Sequence, residues 1–344
     1  MLQNITVLVN GMAAGLFGLS SILFLFVFEH KRLRTVLGIV LAVYTLLFIK
    51  DIIYFCPAVA ENGFLYRVLL SIDNWAVPLY VIYAFEVIAP GRMTAWRTAC
   101  LLLPFPMLTF LYLCFPTEAV YSLSVAFSAL FSAACMSVVL FLTFRYRRML
   151  KDNCSDITNM DIKWMWVSIA LFLPNLVLWT LVSARYDCLL DSVYYVTLSL
   201  SWGIVAWNTY YHIPLSSKDM SCSAQNLQAY PETHFSARLE ELASQDYFVR
   251  SPRLTLSELA SCLGTNRTTL SNYLNSELGT NFYDYINSHR LAHAESLLSD
   301  LSVKYSTEAL AELSGFGSLS TFRRAFFKKH GMTPQEYRRR LEGA

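Results

Sequence analysis

Residues 315–338 read GFGSLSTFRRAFFKKHGMTPQEYR, and their spacing predicts a turn, a helix and the start of another helix. Ser314-Gly315-Phe316-Gly317 is turn chemistry. Ser318 is an N-cap residue whose hydroxyl can accept an orphan amide of the first helical turn, so a helix runs from there to about His330. Phe322 and Phe326 are four apart and share one side. Ser320, Arg324 and Lys328 take the other. Thr333-Pro334-Gln335-Glu336 then forms a capping box with proline at the first helical position and opens a closing helix. Upstream, Ser306 caps a helix to about Leu313. Helix, short glycine turn, helix is the helix-turn-helix outline.

The outline occurs twice. Thr255-Leu256-Ser257-Glu258 is a second capping box, starting a helix that ends near Leu263 and Gly264. The next helix spans about 266–278 and stops at Gly279. Helical spacing assigns Leu270, Leu274 and Leu278 to its buried side, with Thr268, Asn272 and Asn275 opposite and Ser271 on a flank. A long helix over about 283–298 joins the two units. Residues 233–344 carry thirteen Lys and Arg against twelve Asp and Glu, so overall basicity is no argument for nucleic acid. Local charge is one: Arg323, Arg324, Lys328, Lys329 and Arg338 to Arg340 gather near the C-terminus, where they could neutralise phosphates.

These motifs resemble the AraC/XylS family of bacterial transcription regulators. Residues 315–338 are similar to its C-terminal signature, residues 263–287 to its first unit and residues 289–298 to its connecting helix. The likeness covers about residues 233–341, and it is closest to the variant in which this module follows a multi-pass membrane region. It implies base-reading positions at Thr268, Ser271 and Asn272 in the first unit and at Ser320, Thr321 and Arg324 in the second. Arg267, Arg323, Lys328 and Lys329 complete the expected DNA-binding set. The family usually has lysine where this chain has Phe327, which leaves Lys328 and Lys329 for the phosphate contact. Its effector domain is commonly a soluble cupin-like fold, so nothing known of sugar binding transfers to this chain.

Upstream of the module the composition changes. Residues 214–232 contain Pro214, Pro231 and a polar run, and read as a flexible linker. Residues 1–213 form seven apolar stretches, each near the roughly 20 residues a helix needs to cross hydrocarbon: 5–28, 35–56, 64–89, 98–115, 120–144, 164–184 and 192–213. The fourth carries Pro104 and Pro106 and is the weakest. The first runs into Glu29-His30-Lys31-Arg32, not into a cleavage site, and reads as a retained span. With the N-terminus outside, ten Lys and Arg fall in the inner loops 29–34, 90–97 and 145–163, whereas the outer side offers Arg67 and Arg185. That bias follows the positive-inside rule and puts the C-terminal module in the cytoplasm.

Four ionisable residues inside these stretches, Lys50, Asp51, Asp73 and Glu86, are candidate sensor residues, because charge in hydrocarbon is costly and usually functional. Lys50 is the expected partner of Asp73. A structural ion pair that fastens two helices is the rival reading. The eight cysteines have no metal spacing, and a bridge between Cys56 and Cys188 is only compatible with the topology. The apolar half has no histidine cluster, serine elbow or paired-aspartate protease pattern, so no enzyme, metal or cofactor is implied.

The expectation is therefore an all-α chain: a seven-helix transmembrane bundle over 1–213, a linker over 214–232, and a DNA-binding domain of two helix-turn-helix units over 233–344. It would reside in the inner (cytoplasmic) membrane of a bacterium and regulate transcription in response to an unknown signal ligand or partner. Its partners would be double-stranded DNA, the lipid bilayer and, in some arrangements, a second copy as a homodimer. The rivals are a constitutive regulator whose membrane half is only an anchor, and a transporter or membrane enzyme with a regulatory tail.

Overall fold

The computed structural model describes residues 2–29, 31–157, 160–184, 187–212 and 233–342. Among them every regular element is helical; the extended pairing is a single antiparallel bridge between Cys154 and Thr255. The chain divides into two compact units, Met1–Phe144 with Ile162–His212, and Arg145–Asp161 with Ile213–Ala344. The expected linker lies outside the described residues.

Among the described residues seven helices are long and apolar enough to cross a membrane: Leu2–Val27, Arg32–Phe55, Gly63–Ile88, Ala95–Cys114, Glu118–Asn153, Trp164–Ser183 and Cys188–Tyr211. Two of them are interrupted where proline removes an amide donor. The third passes through a tight turn at Asn74–Ala76 just before Pro78, and the fourth breaks at Leu103 before Pro104. The fifth is 36 residues long, about 54 Å at 1.5 Å per residue. That exceeds the roughly 30 Å of bilayer hydrocarbon, and its residues from Arg145 onward belong to the second unit.

The first helix packs on the second and the seventh. Gly38 permits one close approach: a Cβ there would lie 2.7 Å from Leu25 Cγ, and Ser21 Oγ donates to its carbonyl at 2.9 Å. Rings of Phe17, Tyr44, Phe48, Tyr195 and Trp202 fill the centre in tilted and edge-on pairs. Among the described residues no disulfide joins Cys56 to Cys188, so the bridge that the topology allowed is absent.

Besides the end of the long fifth helix, the described residues of the second unit form eight helices: α1 Thr233–Ser244, α2 Tyr247–Arg250, α3 Leu256–Cys262, α4 Arg267–Ser276, α5 Phe282–Ser299, α6 Thr307–Leu313, α7 Leu319–His330 and α8 Pro334–Glu342. Their starts follow the caps. Thr255 accepts from the Glu258 amide and Glu258 reaches back to the Thr255 amide. Asn266, Asn281, Ser306 and Ser318 accept from the amides of Thr269, Asp284, Ala309 and Thr321. Thr333 and Glu336 form the last box. Gly315 turns between α6 and α7 at φ +76°, and a Cβ there would strike the Val249 backbone. Only glycine fits.

There are two cores on one rod. Phe282 and Ile286 of α5 join Leu256, Leu259, Leu270 and Leu274. Leu291, Ala294 and Leu298 of the same helix join Leu310, Phe316, Phe322 and Phe326. Arg290 lies between them, 0% exposed. Its guanidinium donates to Phe248 O at 2.9 Å, Ser251 O at 2.7 Å, Asn287 Oδ1 at 3.2 Å and Ser155 Oγ at 3.3 Å. Burial lowers its pKa to about 10, which still leaves it charged at neutral pH.

Candidate nucleic-acid interface and polar cluster

Helices α4 and α7 are the second helices of the two helix-turn-helix units. On α4, Leu270 and Leu274 are buried, which turns Thr268 and Asn272 to the surface, with Arg267 and Ser271 half-buried beside them. Asn275 donates to Ser271 O at 2.8 Å, so its amide is engaged along the helix. Leu278 does not join the buried row. The helix ends at Ser276, Thr280 N turns back to Leu274 O, and Leu278 stands 43% exposed.

On α7, burial of Phe322, Ala325 and Phe326 leaves Ser320, Arg323, Arg324, Phe327, Lys328 and Lys329 exposed. Lys328 pairs with Asp284 at 2.9 Å, Lys329 with Glu295, and Arg323 with Glu308 at 3.5 Å. Exposed pairs of this kind contribute about 0–1 kcal/mol, so a phosphate can displace the carboxylate at little cost. Arg338 departs from the expected basic patch. It is buried, and its guanidinium donates to Val303 O at 2.6 Å, Leu301 O at 3.2 Å and Glu342 Oε1 at 2.9 Å. It fastens the loop before α6.

Thr321 also departs from its expected place. It is 0% exposed, and its hydroxyl donates to Asp156 Oδ1 at 3.0 Å. The other Asp156 oxygen lies against Gly317. Ser155 is fully buried and donates through both its amide and its hydroxyl to Leu254 O, at 3.2 and 2.7 Å, while Asn287 Nδ2 donates to Ser155 O at 3.1 Å. A crevice of about 350 Å³ has Arg145, Arg148, Asp152 and Asn153 on one wall and Arg267, Thr268, Ser271 and Asn272 on the other. None of residues 152–156 carried a signal in the sequence; they look like an ordinary polar loop.

In the first unit, Lys50 Nζ lies 2.8 Å from Asp73 Oδ1 and 2.9 Å from Asp51 Oδ1. It also donates to the Tyr54 hydroxyl at 2.8 Å and to Leu69 O at 2.9 Å. Tyr54 donates onward to Asp73, and Tyr195 of the seventh helix to Asp51, each at 2.9 Å. A cavity of about 30 Å³ adjoins the cluster, lined in part by Asp51, Asp73, Asp191 and Tyr195. That volume holds about one water. Asp191 falls just outside the last apolar stretch of the sequence, which begins at residue 192, whereas the helix starts at Cys188 behind an Asp187 cap. Glu86 stands apart: it is buried and pairs with Arg32 at 2.7 Å.

Residues 259–340 match the helix-turn-helix domain family. An uncharacterized HTH-type transcriptional regulator of Staphylococcus aureus (strain COL) is 32% identical over 88 residues, and the uncharacterized HTH-type transcriptional regulator YtdP of Bacillus subtilis (strain 168) is 37% identical over 87 residues. Each alignment covers 25% of this chain and spans only 11% of the relative's length. No solved structure matches the chain.

Proposed function

We propose that this chain is a membrane-bound, sequence-specific DNA-binding regulator of transcription that takes its signal through the apolar helices. One observation carries the reading: two helix-turn-helix units share a single connecting helix, and both α4 and α7 expose polar or basic side chains. Among its described residues the same chain holds seven helices of membrane-spanning length. Thr268, Ser271, Asn272, Ser320 and Arg324 would read base edges. Arg267, Arg323, Lys328 and Lys329 would hold phosphates. Two such helices on one chain suit successive major grooves about 34 Å apart on one face of the duplex. The N-terminus would lie outside and the second unit in the cytoplasm, an orientation supported by the loop charges.

Lys50, Asp51 and Asp73, with Asp191 added, are the proposed sensor. Their network ties the second, third and seventh helices together, so a signal that disturbs one ion pair shifts three helices. Asp73→Asn should then alter the response while leaving DNA affinity intact. A normal response at normal expression would favour the anchor reading.

The test of the whole is to crosslink the chain to DNA in cells and sequence the captured fragments. Recurrent sites with two half-sites one helical turn apart are expected. Captured DNA without a shared sequence would overturn the reading. Reporters fused after Glu61, Glu118 and Asp187 should report outside, and those after Arg34 and Lys151 inside.

A further inference from the structure

We propose that residues 145–157 form an autoinhibitory strap over both recognition helices, and that DNA binding requires the strap to leave. The inference rests on the DNA-binding reading above. Two observations, at separate places, support it: a shared crevice at α4 and a hydrogen bond at α7.

At α4, the crevice wall of Arg148, Asp152 and Asn153 stands opposite Thr268, Ser271 and Asn272. A major groove about 12 Å wide admits one helix, and a helix with side chains is already about 10–12 Å across. A second segment across a crevice of only about 350 Å³ from the base-reading face leaves no room for the duplex. At α7, the Asp156 carboxylate sits on Thr321 and Gly317 at the helix N-terminus. Helix N-termini attract anions, so a carboxylate there occupies the place of a DNA phosphate and repels one that approaches.

The strap is built in, yet releasable. Ser155 is fully buried and bonded to Leu254 and Asn287, so the segment is docked and not merely passing. Arg290, however, keeps its two shortest hydrogen bonds within the module, to Phe248 and Ser251, and gives Ser155 its longest. Removing the strap leaves that buried guanidinium satisfied. The strap is also the direct continuation of the fifth apolar helix, which runs without a break to Asn153. A signal that rotates or slides that helix pulls on the strap.

The experiment uses the full chain in lipid nanodiscs and a random-sequence duplex pool, with the enriched duplex then titrated. Asp156→Ala should lower the apparent Kd about tenfold, the gain expected when a state populated at about one tenth becomes dominant. A Cβ built at Gly317 lies 3.2 Å from Asp156 Cβ, so a disulfide, with its Cβ atoms about 3.5–4.5 Å apart, forms after the loop gives by a few tenths of an ångström. The double variant Asp156→Cys with Gly317→Cys should lose binding when oxidised and regain it on reduction, while the wild-type chain is unchanged by the same treatment. Equal affinity of the oxidised and reduced double variant would overturn the proposal, since the strap would then be compatible with bound DNA. Failure of every variant, reduced or oxidised, to enrich any duplex would instead overturn the DNA-binding reading itself.

Discussion

The two units are packed inside out with respect to each other. In the second, Leu270, Leu274, Phe322 and Phe326 are sealed inside and polar side chains cover the outside. In the first, Asn10, Ser71, Asn74, Glu86 and Ser128 are buried, while Leu8, Met12, Phe26, Phe110 and Leu130 face outward. Apolar side chains are placed by the solvent that surrounds them. The outward polar surface of the second unit suits water; the outward apolar surface of the first suits hydrocarbon. Within a bilayer, apolar burial gives no advantage over lipid, so polar groups and close backbone approach take over the holding of helices. The Gly38 contact and the Lys50 network are of that kind.

The comparison breaks most easily at the core of the second unit. Phe322→Ala should cost about 3–5 kcal/mol and abolish protection of the α5–α8 amides in hydrogen exchange, while the apolar helices stay protected. Loss of protection in both units would mean that they are one cooperative body. Next in size is a charge on the outward apolar face. Leu130→Arg, at a position 72% exposed, should cost about 3 kcal/mol in the membrane and lower the yield of inserted protein. The exposed Phe327 of the second unit offers the contrast, because Phe327→Lys should change stability by no more than about 0.5 kcal/mol. Equal losses would erase the distinction between the two solvents.

A smaller effect is expected at the recognition face. Arg324→Ala should cost about 1–3 kcal/mol of discrimination at one base pair. Lys329→Ala should weaken all duplexes alike and reduce the salt slope by about one. An unchanged sequence preference in Arg324→Ala would remove α7 from the interface. The smallest effect concerns Glu295. Burial works to raise its pKa, but hydrogen bonds and charge from Lys329 and His330 outweigh that and hold it below the ordinary value of 4.5. A carboxyl depressed in the folded state adds stability above its unfolded pKa and loses it as pH falls through the folded value. Melting of the second unit should therefore decline more steeply below about pH 4.5 in the wild type than in Glu295→Gln.

Much of the fold was legible because it is written locally. Thr255, Ser306, Ser318 and Thr333 each announce a helix within four residues of themselves, and apolar length alone marks the seven long helices. The recognition faces follow from spacing, except where the chain stops being a helix: Leu278 fails because α4 ends two residues before it. What escaped is written at a distance. Thr321 meets Asp156 across 165 positions and Ser155 meets Arg290 across 135, and no helical period connects such residues. Arg338 escaped for a related reason. Three arginines in a row look alike in sequence, and only the carbonyls of Leu301 and Val303 single out the first.

Helix α5 carries both cores, and that makes it a measuring rod. Its 18 residues span about 27 Å at 1.5 Å per residue, and α4 and α7 are mounted through the cores at its opposite ends. A single residue inserted near Ser288 would lengthen the rod by about 1.5 Å and, at 3.6 residues per turn, swing one unit about 100° around the other. Each recognition helix could remain perfect in itself while the pair ceased to fit any one duplex. On the proposed reading the spacing between half-sites would be inscribed in protein, in the length and phase of one helix, and drift in that helix would have to be matched by drift in the DNA.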